Sequence, residues 1–164
     1  MKRVVVFAPS DCLASSITGP IDVFNIANSV WQHYEGGSTE KVFSFDIFTL
    51  NDKPVVSSSG IVITPTVELA EIGQPDILLL GAMHFQGIPK LSSSVSELSA
   101  LVTFLKKIDS KTTQIGAFCT ATFLVGEAGL LEKKKATTSW WLAKQFQKRY
   151  PNVEVVMDQL VVKQ

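Results

Sequence analysis

Gln114-Ile115-Gly116-Ala117-Phe118-Cys119-Thr120-Ala121-Thr122-Phe123-Leu124 reads as a strand that drives into a tight turn at Cys119 and leaves it as a helix. Small residues after the cysteine let the following helix pack closely. Such a nucleophile elbow exposes its side chain at the edge of a sheet, and a helix N-terminus favours the thiolate. The N–H of the next residue, Thr120, is then placed to stabilise an oxyanion. Gly116, three residues before the cysteine, matches the flanking-glycine pattern only loosely. A buried structural cysteine is the competing reading, because free cysteine is among the most buried residue types.

Upstream of the elbow the chain alternates strands and helices. Arg3 to Ala8 is a β-branched run of the kind buried on both faces of a sheet. Thr18-Gly19-Pro20 is read as opening a helix, with proline in the first turn and Ile21, Phe24, Ile26, Ala27 and Val30 as its apolar face. After the loop Gly36-Gly37-Ser38 comes a strand over Val42 to Leu50. Pro54 to Thr64, with its serines and Gly60, suggests a hairpin. Ile77-Leu78-Leu79-Leu80 is the clearest buried strand and runs into the loop Gly81 to Gly87. Helical spacing follows over Val95 to Lys107, with Leu98, Leu101, Val102 and Leu105 on one stripe.

Thr112 to Phe118 is the strand that leads to the elbow, and Thr120 to Ala128 a helix ended at Gly129. Ser139 to Tyr150 reads as a helix stopped by Pro151, with strands at Val153 to Met157 and Leu160 to Val162. This alternation predicts an α/β fold with a mainly parallel sheet and helices on both faces. Ligands of such sheets sit beyond the carboxyl ends of the strands. The loops 9–18, 81–88 and 118–121 are expected to converge there.

The 164 residues suit one hydrophobic core, and 15 basic residues balance 15 acidic ones. That balance gives no long-range attraction to nucleic acid or anionic lipid. No stretch approaches the ~20 apolar residues that span a bilayer. Cys12 and Cys119 are the only cysteines, so there is neither a disulfide framework nor a cysteine-pair zinc spacing. The expected location is the cytoplasm, with no metal and no cofactor.

Cys119-Thr120, Glu127-Ala128-Gly129-Leu130-Leu131, Ala136-Thr137-Thr138, Trp140 and Tyr150-Pro151 together resemble the DJ-1/PfpI superfamily. More narrowly, they look like the amidotransferase-like N-terminal domain of AraC-type transcriptional regulators and the related isocyanide hydratases. Thr18-Gly19-Pro20-Ile21-Asp22-Val23-Phe24 and Ser58-Ser59-Gly60 match the same group, so the resemblance covers essentially the whole chain. It implies a flavodoxin-like three-layer sandwich over residues 1–164, usually dimeric, with Cys119 at the nucleophile position. It also implies a closing strand and helix beyond these residues, and a helix-turn-helix pair in the full gene product through which alone DNA would be bound.

Three places depart from the pattern. Active relatives carry an acidic residue before the Thr-Gly-Pro motif, where this chain has Ser16, a hydroxyl that cannot act as a carboxylic acid. Relatives also carry histidine where this chain has Ser139, and paired glycines where it has Gly81-Ala82. The candidate ligand-binding residues are Ser16, Thr18, Gly81, His84 and Trp140. His84 sits in the 81–88 loop, at the expected rim of the pocket; ordinary loop polarity is its plain alternative. Asp11 either reaches across the pocket or caps its own loop, and a Cys12–Cys119 disulfide is conceivable. Of Trp140 and Trp141, one is expected to pack into the core while the other lines the pocket or a dimer surface. Glu127 and Asp22 are expected to be structural, and Lys133-Lys134-Lys135 a solvated turn.

These features favour a ligand-sensing domain of an AraC-type regulator, binding a small metabolite near Cys119 as a homodimer and without turnover. The rival is a thiol-dependent hydratase, hydrolase or glyoxalase-like enzyme. In it Cys119 would attack an electrophilic carbon, and the N–H groups of Thr120 and Ala82 would hold the oxyanion.

Overall fold

The computed structural model describes residues 1–36, 39–84 and 98–164. Parts of three expected features lie outside them: the loop beyond His84, the helix start at 95–97 and the Gly37-Ser38 turn. The chain divides into two compact units, residues 1–81 with 109–116, and residues 82–108 with 117–164.

The first unit is built on a four-stranded sheet of order β2-β1-β5-β6, comprising β1 (Lys2–Phe7), β2 (Phe43–Phe48), β5 (Ile77–Leu80) and β6 (Gln114–Ala117). β1 pairs in parallel with both β2 and β5, Val4 facing Phe45 on one side and Ile77 on the other. A central strand of a parallel sheet is covered on both faces and so carries a continuous apolar run, here Val4, Val5, Val6 and Phe7, all fully buried. Arg3 pins the start of the sheet: its backbone N–H donates to Asp76 at 2.8 Å, and its guanidinium reaches Asp46 (2.9 Å) and the Ile72 carbonyl (2.7 Å). Between β2 and β5 the expected hairpin is present as β3 (Val55–Val56) and β4 (Val62–Ile63), paired antiparallel, with Gly60 at φ 81° in its turn.

Helix α1 (Ser15–Tyr34) corrects two expectations. It starts earlier than the proline suggested, because the carbonyls of Leu13 and Ala14 already receive the N–H groups of Ser16, Ile17 and Thr18. Pro20 therefore falls inside the helix, where it removes one bond of the ladder. The inward stripe is Ile17, Ile21, Phe24 and Asn28, while Ile26 and Val30 are 62% and 48% exposed. Residue 26 lies roughly 200° around the helix from residue 24, so the two cannot share a face. Asn28 occupies the inward slot instead. Its amide donates to the Phe43 carbonyl and its oxygen accepts from the N–H groups of Val42 and Phe43, each at 2.9 Å. A polar side chain thus fastens helix to strand with its hydrogen bonds satisfied.

The second unit contains helices α2 (Ser99–Lys107), α3 (Thr122–Glu127) and α4 (Ala143–Arg149), and the short parallel pair β7 (Lys135–Ala136) and β8 (Glu154–Val155). Leu101, Val102 and Leu105 form the expected buried stripe of α2. α3 ends where the glycine predicted: Gly129 takes φ 76°, and the N–H groups of Gly129 and Leu130 return to the carbonyls of Gly126 and Val125. α3 and α4 meet through Phe123, Phe146 and Tyr150, whose hydroxyl lies 2.9 Å from both the Phe123 carbonyl and a Glu127 carboxylate oxygen. Arg149 bonds the same carboxylate at 2.9–3.0 Å, giving Glu127 the structural setting expected of it.

Two expectations fail in this unit. Residues 160–162 form no strand; Leu160 is 99% exposed, and no described strand lies beside it to complete a ladder. Neither Trp140 nor Trp141 is in the core, because a turn of 3₁₀-helix over Trp140–Leu142 turns Leu142 inward in their place. The two indoles pack edge to face, 5.6 Å apart.

Candidate functional site

Cys119 adopts φ 53°, a left-handed conformation that costs a non-glycine residue about 1 kcal/mol or more. The backbone leaves β6 through extended Phe118 and enters a 3₁₀ turn, Cys119–Ala121, which continues into α3. This is the elbow read from the sequence, and the Cys119 side chain is exposed rather than buried. Gly116 serves packing: a β-carbon there would lie 2.7 Å from a Leu79 methyl group.

The strained turn is held by threonines. The Cys119 carbonyl accepts from the hydroxyls of Thr122 (2.9 Å) and Thr138 (3.1 Å) and from the Thr122 N–H. The Thr122 hydroxyl also lies 3.1 Å from the Thr137 carbonyl, tying the 137–139 segment to the elbow. The buried Thr120 hydroxyl accepts from the Met83 N–H at 2.8 Å and donates to the Met83 carbonyl at 2.9 Å. This fixes the segment that carries Ala82 and His84 to the turn. The Thr120 N–H lies in the first turn, where amides have no intrahelical acceptor.

Beside the sulfur stands a residue that the sequence marks only as the replacement of a histidine. Ser139 Oγ lies 2.6 Å from Cys119 Sγ, and Ser139 is buried. Three consecutive hydroxyl residues, Thr137-Thr138-Ser139, placed directly before a helix were the available signal. Trp140 follows in sequence, 76% exposed and packed edge to face against Trp141. Ala82 is buried and His84 exposed.

Ser16, Thr18 and Gly81 lie in the first unit. Ser16 Oγ donates to the Leu13 carbonyl at 2.7 Å, and the Thr18 hydroxyl donates to the Ala14 carbonyl at 3.2 Å, so both brace the start of α1. Gly81 is packed against the same turn. A β-carbon on it would stand 2.2 Å from Ile17 Cδ1, 2.8 Å from the Phe7 carbonyl oxygen and 3.4 Å from Ser16 Oγ. Asp11 takes φ 57° in the preceding loop. Cys12 is fully buried; burial, reinforced by the neighbouring Asp11 charge, pushes its thiol above the ordinary range. Both cysteines are free thiols. Among the described residues no group of three or more histidine, cysteine or carboxylate side chains could hold a metal ion.

A parallel α/β sheet whose last strand ends in a left-handed cysteine turn defines a class, the flavodoxin-like domains with a thiol elbow. Residues 2–164 match the DJ-1/PfpI family, and the chain belongs to that family. It is 26% identical over 117 residues to the HTH-type transcriptional regulator CdhR of Pseudomonas aeruginosa, a match that covers 71% of this chain and 33% of the regulator. The chain thus spans about one third of that relative's length. Among solved structures it is similar to an AraC family transcriptional regulator from Pseudomonas putida, at TM-score 0.68 and 18% identity, covering 95% of this chain and 76% of that one. Drosophila melanogaster DJ-1beta gives TM-score 0.75 at 20% identity over 99% of this chain and 77% of its own. At these identities the structural likenesses establish the fold.

Proposed function

We propose that this chain is the ligand-sensing domain of an AraC-type transcriptional regulator, and that a small metabolite binds beside Cys119 without being turned over. The observation that carries this reading is the chemistry around a retained elbow. The cysteine keeps its left-handed turn and its exposure, while the position expected to bring a carboxylic acid is Ser16, whose hydroxyl is engaged with the Leu13 carbonyl. Nucleophilic turnover needs a base to take up the thiol proton, and a serine hydroxyl is a poor one. The likeness to CdhR and to the AraC family structure supports the regulatory side of the reading. In this reading the protein works in the cytoplasm as a homodimer, with His84 and Trp140 near the ligand. DNA is contacted only by a separate helix-turn-helix domain. No described helix is long and apolar enough to cross a membrane.

One observation favours the rival, thiol-dependent catalysis: an exposed sulfur at a strained turn with a hydroxyl 2.6 Å away. Thermal denaturation against a panel of amino-acid- and amine-derived metabolites separates the two. A true effector at a hundred times its Kd stabilises by about 2.7 kcal/mol, which raises Tm by about 5–10 °C for a chain of this size. The sensing reading expects such a shift, reduced in Cys119→Ala, with the compound recovered unchanged. Consumption of the compound by the native protein and not by Cys119→Ala would establish the enzyme instead.

A further inference from the structure

We infer that Ser139 is the positioning residue of the Cys119 thiol, its hydroxyl donating a hydrogen bond to the sulfur and so setting the reactivity of the elbow. The inference rests on the reading of Cys119 as the ligand-facing group, and it concerns the sulfur itself rather than any particular ligand. The two atoms are 2.6 Å apart, a distance at which either could donate, and their surroundings favour the hydroxyl as the donor. Ser139 is buried, and a buried hydroxyl must donate its proton to some acceptor. Among the described residues the Ser139 hydroxyl has one hydrogen-bond contact, Cys119 Sγ. Cys119 is exposed, so its own proton can turn to water.

The backbone around this pair fixes their separation. Thr138 Oγ1 donates to the Cys119 carbonyl, and the Thr122 hydroxyl lies within reach of the carbonyls of both Cys119 and Thr137. On the far side of Ser139, its carbonyl accepts the Leu142 N–H at 2.8 Å and starts the 3₁₀ turn. Ser139 is thus clamped on both sides, one residue from a segment stitched to the elbow. Neither side chain needs to search for the other.

A donor aimed at sulfur favours negative charge there, and the charged form is the one that attacks electrophiles. A hydrogen bond to a charged acceptor contributes more than a neutral one, but a stabilised thiolate is also a weaker nucleophile. The net effect on alkylation near neutral pH is expected to be about three- to tenfold.

The test compares two variants of nearly equal shape that differ in the hydroxyl, Ser139→Thr and Ser139→Val. The probe is iodoacetamide at pH 7, with adduct formation at Cys119 followed by mass spectrometry and Cys119→Ala as the blank. The expected result is a native-like rate in Ser139→Thr and a rate three- to tenfold lower in Ser139→Val, at matching Tm. An unchanged or faster rate in Ser139→Val overturns the inference, as does a Thr variant as slow as Val. If valine prevents folding, Ser139→Ala removes the hydroxyl without adding bulk, and the same rate criterion applies to it. Because no metabolite enters the assay, its outcome is independent of whether an effector is found.

Discussion

Gly81 has no room for a side chain. A β-carbon there would overlap Ile17 Cδ1 at 2.2 Å and press on the Phe7 carbonyl oxygen at 2.8 Å. The methyl end can shift, but the carbonyl belongs to a sheet strand and accepts the Gly81 N–H at 3.0 Å. Gly81→Ala is therefore expected to destabilise by about 1–3 kcal/mol, lowering Tm by several degrees in a thermal melt. Gly126 meets a comparable limit against the Tyr150 ring, at 2.8 Å.

At the scale of elements, α1 has two faces of different character. Asn28 on the inner face satisfies three backbone groups at the start of β2. Asn28→Ala would orphan them at a cost of about 2–4 kcal/mol, and amide hydrogen exchange at Val42 and Phe43 should accelerate well beyond that at β5. The outer face carries Val23, Ile26, Val30, Trp31 and Tyr34, all exposed, and the only charged side chains within the helix sequence are Asp22 and, when protonated, His33. An apolar stripe of this kind suits the homodimer proposed above. Ile26→Asp is expected to convert a particle of twice 17.9 kDa into one of 17.9 kDa in light-scattering measurements. A native protein that is already monomeric at micromolar concentration would remove this role from α1.

Across the whole molecule, the sequence made the sheet easy to read and the surfaces of the helices hard. The runs Val4–Phe7 and Ile77–Leu80 are short, apolar on both faces and bounded by turn residues, as central strands of a parallel sheet are, and they proved to be neighbours. The elbow was equally readable, because strand, cysteine and small residues follow one another without a gap. The orientation of α1 was not. Its sequence is apolar on more than one side, so periodicity alone could not say whether Phe24 or Ile26 faces inward. Nor was Ser139 readable as a contact, since its distance from Cys119 depends on how residues 122, 137 and 138 share carbonyls. The acid response of the fold is likewise visible only in three dimensions. Burial would raise the Glu127 carboxyl, but bonds from Tyr150 and Arg149, and the positive charge of Arg149, outweigh it and hold it below its ordinary value. A lowered folded-state value means the stabilisation is present above the ordinary carboxylate range and lost as pH falls through the folded value. In urea titrations the native protein should exceed Glu127→Gln in stability at pH 7, and the gap should narrow as acid protonates the carboxylate.

The left-handed backbone at Cys119 also decides what each replacement there would report. Alanine has a β-carbon as cysteine does, so the steric penalty of the turn is common to both and cancels when they are compared. What remains in that difference is the sulfur. Glycine would relax the penalty, and asparagine would lessen it while adding an amide of its own, so either mixes backbone relief with loss of the thiol. A gain in thermal stability in Cys119→Gly that is absent in Cys119→Ala would measure the strain this elbow stores to present its thiol.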